Sequence, residues 1–173
     1  MLENENIKLR APEPEDIEAF YQWENDTTLW SWSCTLAPYS RYVLRKYILS
    51  EQDIYEAKQI RFVIELKKGK KAAGMIDLYD YEPHHKRAAI SIIIDKKYRH
   101  KGLASEALSL LCNYSFSFLK LHQIYAFIPV KNDPSKQLFI RSGFKENGLL
   151  HDWIQTADGY DDVLIFNLIA TDC

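Results

Sequence analysis

The segment from Arg87 to Val130 constrains the fold of this chain more than any other. It opens with the β-branched run RAAISIIID, crosses a basic loop, continues through the apolar stretch GLASEALSLLCNYSFSFLK and closes with the run QIYAFIPV. Period-two and period-3.6 patterns alternate here, which predicts a central strand–helix–strand unit. Such a unit favours an α/β domain over an all-β or all-helical one.

The flanking segments add two helices before this unit and further strands on both sides of it. IKLRAP is a short strand that ends at Pro12, and the spacing of Ile17, Phe20, Tyr21 and Trp23 is helical. A second helix is predicted across SRYVLRKYILSEQD, a hairpin turns near Gly69, and a short helix within NDPSKQLFIRSGF is followed by two strands. The aromatic stretch TTLWSWSCTLAPY is too irregular to assign. The predicted order is therefore β-α-α-β-β-β-α-β-α-β-β.

Composition predicts one domain that spans residues 1–173. The chain is 47% hydrophobic and 27% charged, which is typical of a globular protein with a sizeable core. No apolar run reaches the length of about 18 residues needed to span a bilayer, and the N-terminus lacks a signal-peptide core. Cys34, Cys112 and Cys173 form neither a zinc pattern nor a disulfide framework, so we expect a cytoplasmic protein.

Charge is unevenly distributed along the chain. Residues 61–130 carry 12 basic and 6 acidic side chains, whereas residues 1–60 carry 11 acidic and 6 basic ones. Two interpretations are open at this point: chance distribution over solvated faces, or a site that meets an anion on one side and a cation on the other.

The glycine in YRHKGLASEAL lies where an anion could bind. Arg99, His100 and Lys101 precede Gly102, and an apolar helix begins at once. Helix N-termini present unpaired N–H groups, and glycine allows a ligand to approach the backbone closely. The alternative is an ordinary turn into a helix. A Walker loop needs Gly-Lys-Ser/Thr, and a dinucleotide fingerprint needs three spaced glycines; the sequence has neither here.

Three motifs in the same order resemble those of one family. RHKGLA resembles the R/Q-x-x-G-x-G/A pyrophosphate loop of the GCN5-related N-acetyltransferases (GNATs), and NDPSKQLFIRSGF resembles their N-x-x-S/A…GF segment. IKLRAPEPEDIEAF is similar to the opening of the RimJ/RimL branch and of spermidine N-acetyltransferases. The resemblance covers nearly the whole chain. It implies a mixed, mostly antiparallel, twisted sheet of about seven strands, flanked by helices and splayed between strands 4 and 5.

The resemblance also implies acetyl-CoA as co-substrate and no metal. Backbone groups at the end of the fourth strand would pair with the pantetheine arm, which is compatible with core packing of the same side chains. The RHKGLA loop, which leads into the helix after Gly102, would hold the pyrophosphate, and Asn132 and Lys136 would contribute further contacts. The implied acetyl-CoA residues are Ile92, Ile93, Ile94, Arg99, His100, Lys101, Gly102, Leu103, Ala104, Ser105, Asn132 and Lys136.

The implied reaction is direct transfer of the acetyl group to an amine, without a covalent enzyme intermediate. Many relatives carry a glutamate early on the fourth strand and a tyrosine seven residues after the asparagine; here Ala89 and Phe139 stand there. Ser135, matching a serine of the RimJ/RimL branch, is the expected proton donor to the thiolate, with Asn132 beside it, although it is equally an ordinary first-turn serine. The base stays open among a bridging water and Asp77, Asp80, Glu82, His84 and His85. We expect no metal site at the paired histidines, because neighbouring strand residues point to opposite faces.

The acceptor is expected to be a polyamine or another small amine. Carboxylates and aromatic rings suit a cationic alkyl chain, and the expected substrate residues are Glu24, Trp30, Trp32, Asp77, Tyr79 and Glu82. The alternative is that the rings fill the core, which is the more frequent position of tryptophan. Alternatives are a peptide N-terminus, as in ribosomal-protein acetyltransferases, or an acetyl-CoA sensor without turnover. We expect no nucleic-acid or membrane partner, and by resemblance a homo-oligomer.

Overall fold

The computed structural model describes residues 1–30, 35–50, 53–156 and 158–170. Its strands are β1 Ile7–Arg10, β2 Ile60–Leu66, β3 Lys71–Glu82, β4 Arg87–Ile94, β5 Gln123–Pro129, β6 Lys145–Thr156 and β7 Gly159–Ile169. Its helices are α1 Ile17–Glu24, α2 Thr27–Trp30, α3 Arg41–Leu49, α4 Ile54–Ala57, α5 Leu103–Asn113 and α6 Asp133–Arg141. The predicted order is confirmed, with α2 and α4 as short additions. Among the helices in these ranges, none has the length and apolarity to cross a membrane.

All seven strands lie in one sheet, in the order β1-β2-β3-β4-β5-β7-β6. Neighbouring strands are antiparallel except for the β4–β5 pair, which is parallel. The parallel pair is the strand–helix–strand unit predicted from Arg87–Val130, and α5 is its crossover helix. The mixed, mostly antiparallel sheet implied by the sequence motifs is therefore confirmed.

The sheet opens into a fork between β4 and β5. These strands pair only where residues 87–89 meet residues 123–125, and Ala89 with Tyr125 is the last pair. Beyond it β4 continues to pair with β3 as far as Gly74 and Ile94. A Cβ on Gly74 would lie 2.2 Å from the carbonyl oxygen of Ile93, so the strands approach too closely there for any larger residue. The splay between strands 4 and 5 is confirmed.

Two hydrophobic clusters lie on opposite faces of the sheet. The main core includes residues of α5 and α6 together with alternate residues of the strands, among them Ile90, Ile124 and Ala126. The second cluster joins α1 and α3 to β2 and β3, through Phe20, Trp23, Leu44, Ile48, Val63 and Met75. Ile92 and Ile94 pack against the main core, whereas Ile93 packs against the second cluster. The face that carries α1 and α3 is called the α1 face below.

The predicted helix after Gly102 changes character near its end. The α-helix stops at Asn113, and residues Tyr114–Phe118 continue it with the wider π geometry. The buried Ser115 donates its hydroxyl hydrogen to the carbonyl oxygen of Leu111 at 2.7 Å, so this polar side chain is satisfied inside the core.

Candidate functional site

The N-terminus of α5 has the geometry of an anion site. Gly102 precedes the helix in a left-handed conformation, with φ of 79°. The first α-helical hydrogen bond runs from the amide of Glu106 to the carbonyl of Gly102 at 3.1 Å. The amides of Leu103, Ala104 and Ser105 therefore have no carbonyl acceptor within the helix. Apart from the neighbouring residues in the chain, nothing described lies within 4 Å of a Cβ position on Gly102, so a ligand can approach the backbone.

The basic side chains of this loop are anchored to it. Arg99 donates from Nε to the carbonyl of Ile94 at 3.1 Å, at the end of β4. Lys101 donates from Nζ to the carbonyl of Lys97 at 3.1 Å and lies over the Tyr98 ring. The positive charges predicted from the sequence are thus held between the helix terminus and the open end of the fork.

Lys136, expected to contact nucleotide phosphates, is engaged elsewhere. Its ammonium group pairs with the Asp133 carboxylate at 2.7 Å, one turn away on α6. A phosphate contact would require this ion pair to open, and the role stays a prediction.

A cleft of about 370 Å³ runs beside the end of β4. Its lining residues come from α1, α2 and the turn between them, and from the end of β4 and the β4–α5 connection: Gln22, Trp23, Asp26, Leu29, Ile93, Ile94, Asp95, Lys96, Lys97 and Arg99. Asp95 accepts hydrogen bonds from the Trp23 indole at 3.0 Å and from the Lys97 amide at 2.9 Å. Burial alone would raise the pKa of Asp95, but these hydrogen bonds and nearby cations hold it below its usual value.

A row of polar side chains crosses three strands on the α1 face. Arg61, Asp77 and Ser91 are register partners on β2, β3 and β4. Arg61 donates two hydrogen bonds to the Asp77 carboxylate, both at 2.8 Å, and a third to Glu24 at the end of α1. Ser91 donates its hydroxyl hydrogen to Asp77 at 3.3 Å. Burial opposes the charge on Arg61, yet the pKa of its guanidinium is raised by Asp77 and Glu24.

This row changes the interpretation of two predicted substrate residues. Glu24 and Asp77 come together as expected, but both are ion-paired to the largely buried Arg61. Their charges are therefore partly balanced before any amine arrives. Sequence reasoning missed Arg61 and Ser91, although each is a polar residue within an otherwise apolar strand segment.

The next row along the α1 face is aromatic. Tyr79 on β3 is the register partner of Ala89 on β4, which pairs in turn with Tyr125 on β5. The flanking residues Ile124 and Ala126 point into the main core, so Tyr125 faces the opposite side, that of α1. The row of Tyr79, Ala89 and Tyr125 is called the aromatic floor below. Tyr79 was predicted as a substrate residue, whereas Tyr125 was not anticipated.

The remaining predicted substrate residues are Glu82, Trp30 and Trp32. Glu82 is the register partner of Arg87, and its carboxylate accepts a hydrogen bond from the amide of His84 at 3.3 Å. Trp30 donates its indole hydrogen to the carbonyl of Glu24 at 2.9 Å, which ties α2 to the end of α1. Trp32 lies outside the described residues.

The start of α6 presents a serine hydroxyl. Asn132 caps the helix, because its side-chain oxygen accepts a hydrogen bond from the amide of Ser135 at 3.2 Å. The half-buried Ser135 makes no hydrogen bond through its hydroxyl within the described part of the chain. Phe139 is only 3% exposed and packs edge-on against Phe144 in the core.

The paired histidines lie in the β3–β4 turn. The rings of His84 and His85 are in edge contact, with centroids 4.8 Å apart, so the expectation that they point to opposite faces was wrong. Among the described residues, no group of three or more His, Cys, Asp or Glu side chains is placed to hold a metal.

Comparison with known proteins decides the family. The sequence profile of the acetyltransferase (GNAT) domain matches residues 6–145. The chain belongs to the GNAT acetyltransferases. Spermidine N(1)-acetyltransferase of Escherichia coli (strain K12) is 31% identical over 149 residues, which is 86% of this chain and 78% of that protein.

Solved structures agree with this assignment. Spermidine N-acetyltransferase from Vibrio cholerae, crystallised in complex with CoA and spermine, matches with a TM-score of 0.86 and 28% identity over 98% of both chains. A dodecameric structure of the Vibrio cholerae enzyme in an intermediate state matches with a TM-score of 0.81 and 27% identity, over 97% of this chain and 96% of that one. The GNAT fold and the acyltransferase class predicted from three motifs are confirmed.

Proposed function

We propose that this GNAT acetyltransferase moves an acetyl group from acetyl-CoA to a primary amine of a polyamine, by direct attack of the amine on the thioester. The fork between β4 and β5 is the observation that carries the proposal. It connects the anion-binding terminus of α5 to the polar and aromatic floor on the α1 face. Donor and acceptor can therefore meet at the Ala89–Tyr125 pair.

The donor side fits a pyrophosphate followed by an extended amide-containing arm. The helix dipole and the unpaired amides at Leu103–Ser105 attract negative charge, and the positive charges of Arg99 and Lys101 strengthen this attraction. The edge of β4 beyond Ala89 is not paired with β5, so its amides and carbonyls are open to such an arm. CoA in the Vibrio cholerae complex supports this ligand.

The acceptor side supports a cationic alkyl chain. Aromatic rings of Tyr79 and Tyr125 line the floor beside Ala89, and the carboxylates of Asp80 and Glu82 lie on the same part of β3. Rings and carboxylates together attract ammonium groups. The names of the relatives, and spermine in the Vibrio cholerae complex, support a polyamine over other amines.

The chemistry requires two proton transfers. An alkylammonium with a pKa of about 10.4 must lose a proton before its nitrogen can attack the thioester carbon. As the carbon–sulfur bond breaks, Ser135 can donate its hydroxyl hydrogen to the departing thiolate and recover one from the new amide nitrogen. The products are the acetylated amine, CoA and one proton released to water.

Two measurements test this function. Acetyl-CoA should raise the melting temperature, and no shift at saturating acetyl-CoA would contradict the donor site. Release of the CoA thiol should be observed when spermidine or spermine is the acceptor. It should not be observed with a matched N-terminal peptide or with an amino sugar. A melting shift without thiol release from any of these amines would instead favour an acetyl-CoA sensor.

Three broader points belong to the same proposal. Residues 1–173 would act as a single GNAT domain, since the sheet uses strands from Ile7 to Ile169. A cytoplasmic location rests on the cysteine pattern. A homo-oligomer is supported by the dodecameric relative. Sedimentation equilibrium tests this, and a monomer at micromolar concentration would contradict it.

A further inference from the structure

We propose that Tyr125 and Asp80 form the pathway by which the substrate ammonium loses its proton, with one water between the two side chains. The inference rests on the proposed function. It assigns a role to a phenol at the fork and to a carboxylate in a β-bulge.

Position is the first argument for Tyr125. Its partner in the last β4–β5 pair is Ala89, so its side chain stands where the fork opens. Strand alternation turns it to the α1 face, away from the main core. The edge contact with Phe127, with centroids 5.5 Å apart, restricts the direction of the ring. An amine that attacks a thioester in the fork from this face passes the phenol.

Position also singles out Asp80 among the acidic residues of β3. Asp77 is bound to Arg61 and Ser91, and the carboxylate of Glu82 accepts the His84 amide. Asp80 instead lies in a bulge between Tyr79 and Glu82, with φ of 49° in the left-handed region. The carboxylate is exposed and can pass a proton to water.

Register and electrostatics link the two side chains, because Asp80 directly follows Tyr79, which lies in one row with Ala89 and Tyr125. Burial raises the pKa of Tyr125, the Asp80 charge raises it further, and Arg87 on β4 opposes both. Asn167 on β7 is the register partner of Tyr125 on one side, and Tyr79 on β3 lies in the same row on the other side, with Ala89 between them. A neutral phenol next to a carboxylate can accept one proton and release another at the same time.

The proton balance of the step is simple. The ammonium gives one proton to the Tyr125 oxygen, and the phenol proton moves through the water to the Asp80 carboxylate. The neutral amine then attacks, and Asp80 returns its proton to bulk water. No further reactant is needed.

Two isosteric variants and two matched controls test the pathway. Tyr125→Phe and Asp80→Asn keep shape, and asparagine tolerates the left-handed conformation. Each should lower kcat with spermidine by about 10- to 100-fold, with little change in KM for acetyl-CoA. The controls are Tyr160→Phe and Asp152→Asn, the second an aspartate that is also left-handed in a β-bulge. They should retain wild-type kcat.

An amine series separates proton transfer from positioning. Spermidine analogues with fluorine near the amine have lower ammonium pKa values and need less help to become neutral. The losses in both variants should therefore shrink along this series, and the double variant should be no slower than the slower single one. Equal losses for every amine, multiplicative losses, or unchanged kcat in both variants would overturn the pathway. A wild-type protein that acetylates no amine would instead overturn the proposed function.

Discussion

Trp23 on α1 donates its indole hydrogen to the carboxylate of Asp95 at 3.0 Å, just past the end of β4. Asp95 is also bound through its own amide to the carbonyl of Ala73 on β3 at 2.9 Å. The contact therefore fastens the helix of the acceptor side to the strand end that would receive the donor. This side-chain pair therefore joins the two halves of the proposed site.

Replacing Trp23 by Phe should destabilise the protein by about 2–3 kcal/mol, because a hydrogen bond to a charged group and part of a buried ring are lost. Urea unfolding measures this change. Trp153→Phe is the control, since Trp153 is 60% exposed and should change stability little. Equal effects of the two substitutions would contradict the structural role of the Trp23–Asp95 contact.

Asp95 should also make the stability of the folded protein depend on pH in the acid range. Its folded-state pKa lies below its value of about 3.9 in an unfolded chain. The stabilisation is therefore complete above about pH 4 and is lost as the pH falls through the folded-state pKa. Urea midpoints should decline less steeply below pH 4 in Asp95→Asn than in the wild type. Parallel declines would show that Asp95 contributes nothing to acid sensitivity.

Gly102 and Gly69 provide a matched pair for the anion site. Both have positive φ, 79° and 88°, and both have open space where a Cβ would stand. Alanine should cost about 1–2 kcal/mol of stability at either position. In calorimetric titration, Gly102→Ala alone should weaken acetyl-CoA binding, because it shifts the amides of the α5 terminus. Equal weakening in Gly69→Ala would count against a local binding role.

Removal of the Arg61 charge should strongly destabilise the folded protein. Arg61→Gln leaves Asp77 and Glu24 without their buried cation, and breaking such a pair costs about 3–5 kcal/mol. Arg41→Gln is the control, since its ion pair with Glu18 is exposed and should contribute little. Thermal unfolding compares the two variants. A small loss in Arg61→Gln would show that the row of polar residues is not structural.

These sites differ in how far the sequence could predict them. The anion loop was accessible because it is local: a glycine, three basic residues and a helix start within a few positions. The fold followed from strand and helix periods together with the family motifs. The row Arg61–Asp77–Ser91 depends instead on register across three strands, which a bulge between Ile64 and Glu65 shifts by one residue. No local pattern reveals such a shift.

The row of Tyr79, Ala89 and Tyr125 could not be predicted from the sequence for a related reason. An isoleucine run such as Ile92–Ile94 does not tell which face is buried, because both faces of β4 are covered. The side on which Ala89 and Tyr125 lie becomes clear only from the packing of α1 and α5. The position of β7 between β5 and β6 likewise could not be predicted from any single segment of the sequence.

Ser135 gives the sharpest test of the donor-side chemistry. If its hydroxyl protonates the thiolate, Ser135→Ala should lower kcat by about 100-fold or more while KM for acetyl-CoA changes little. The helix cap itself should survive, because Asn132 bonds to the backbone amide of Ser135 and not to its side chain. Ser142→Ala, which removes a hydroxyl bonded to the Leu138 carbonyl at the other end of α6, controls for helix effects. Steady-state thiol release with spermidine measures both variants. Wild-type turnover in both alanine variants would contradict the assignment.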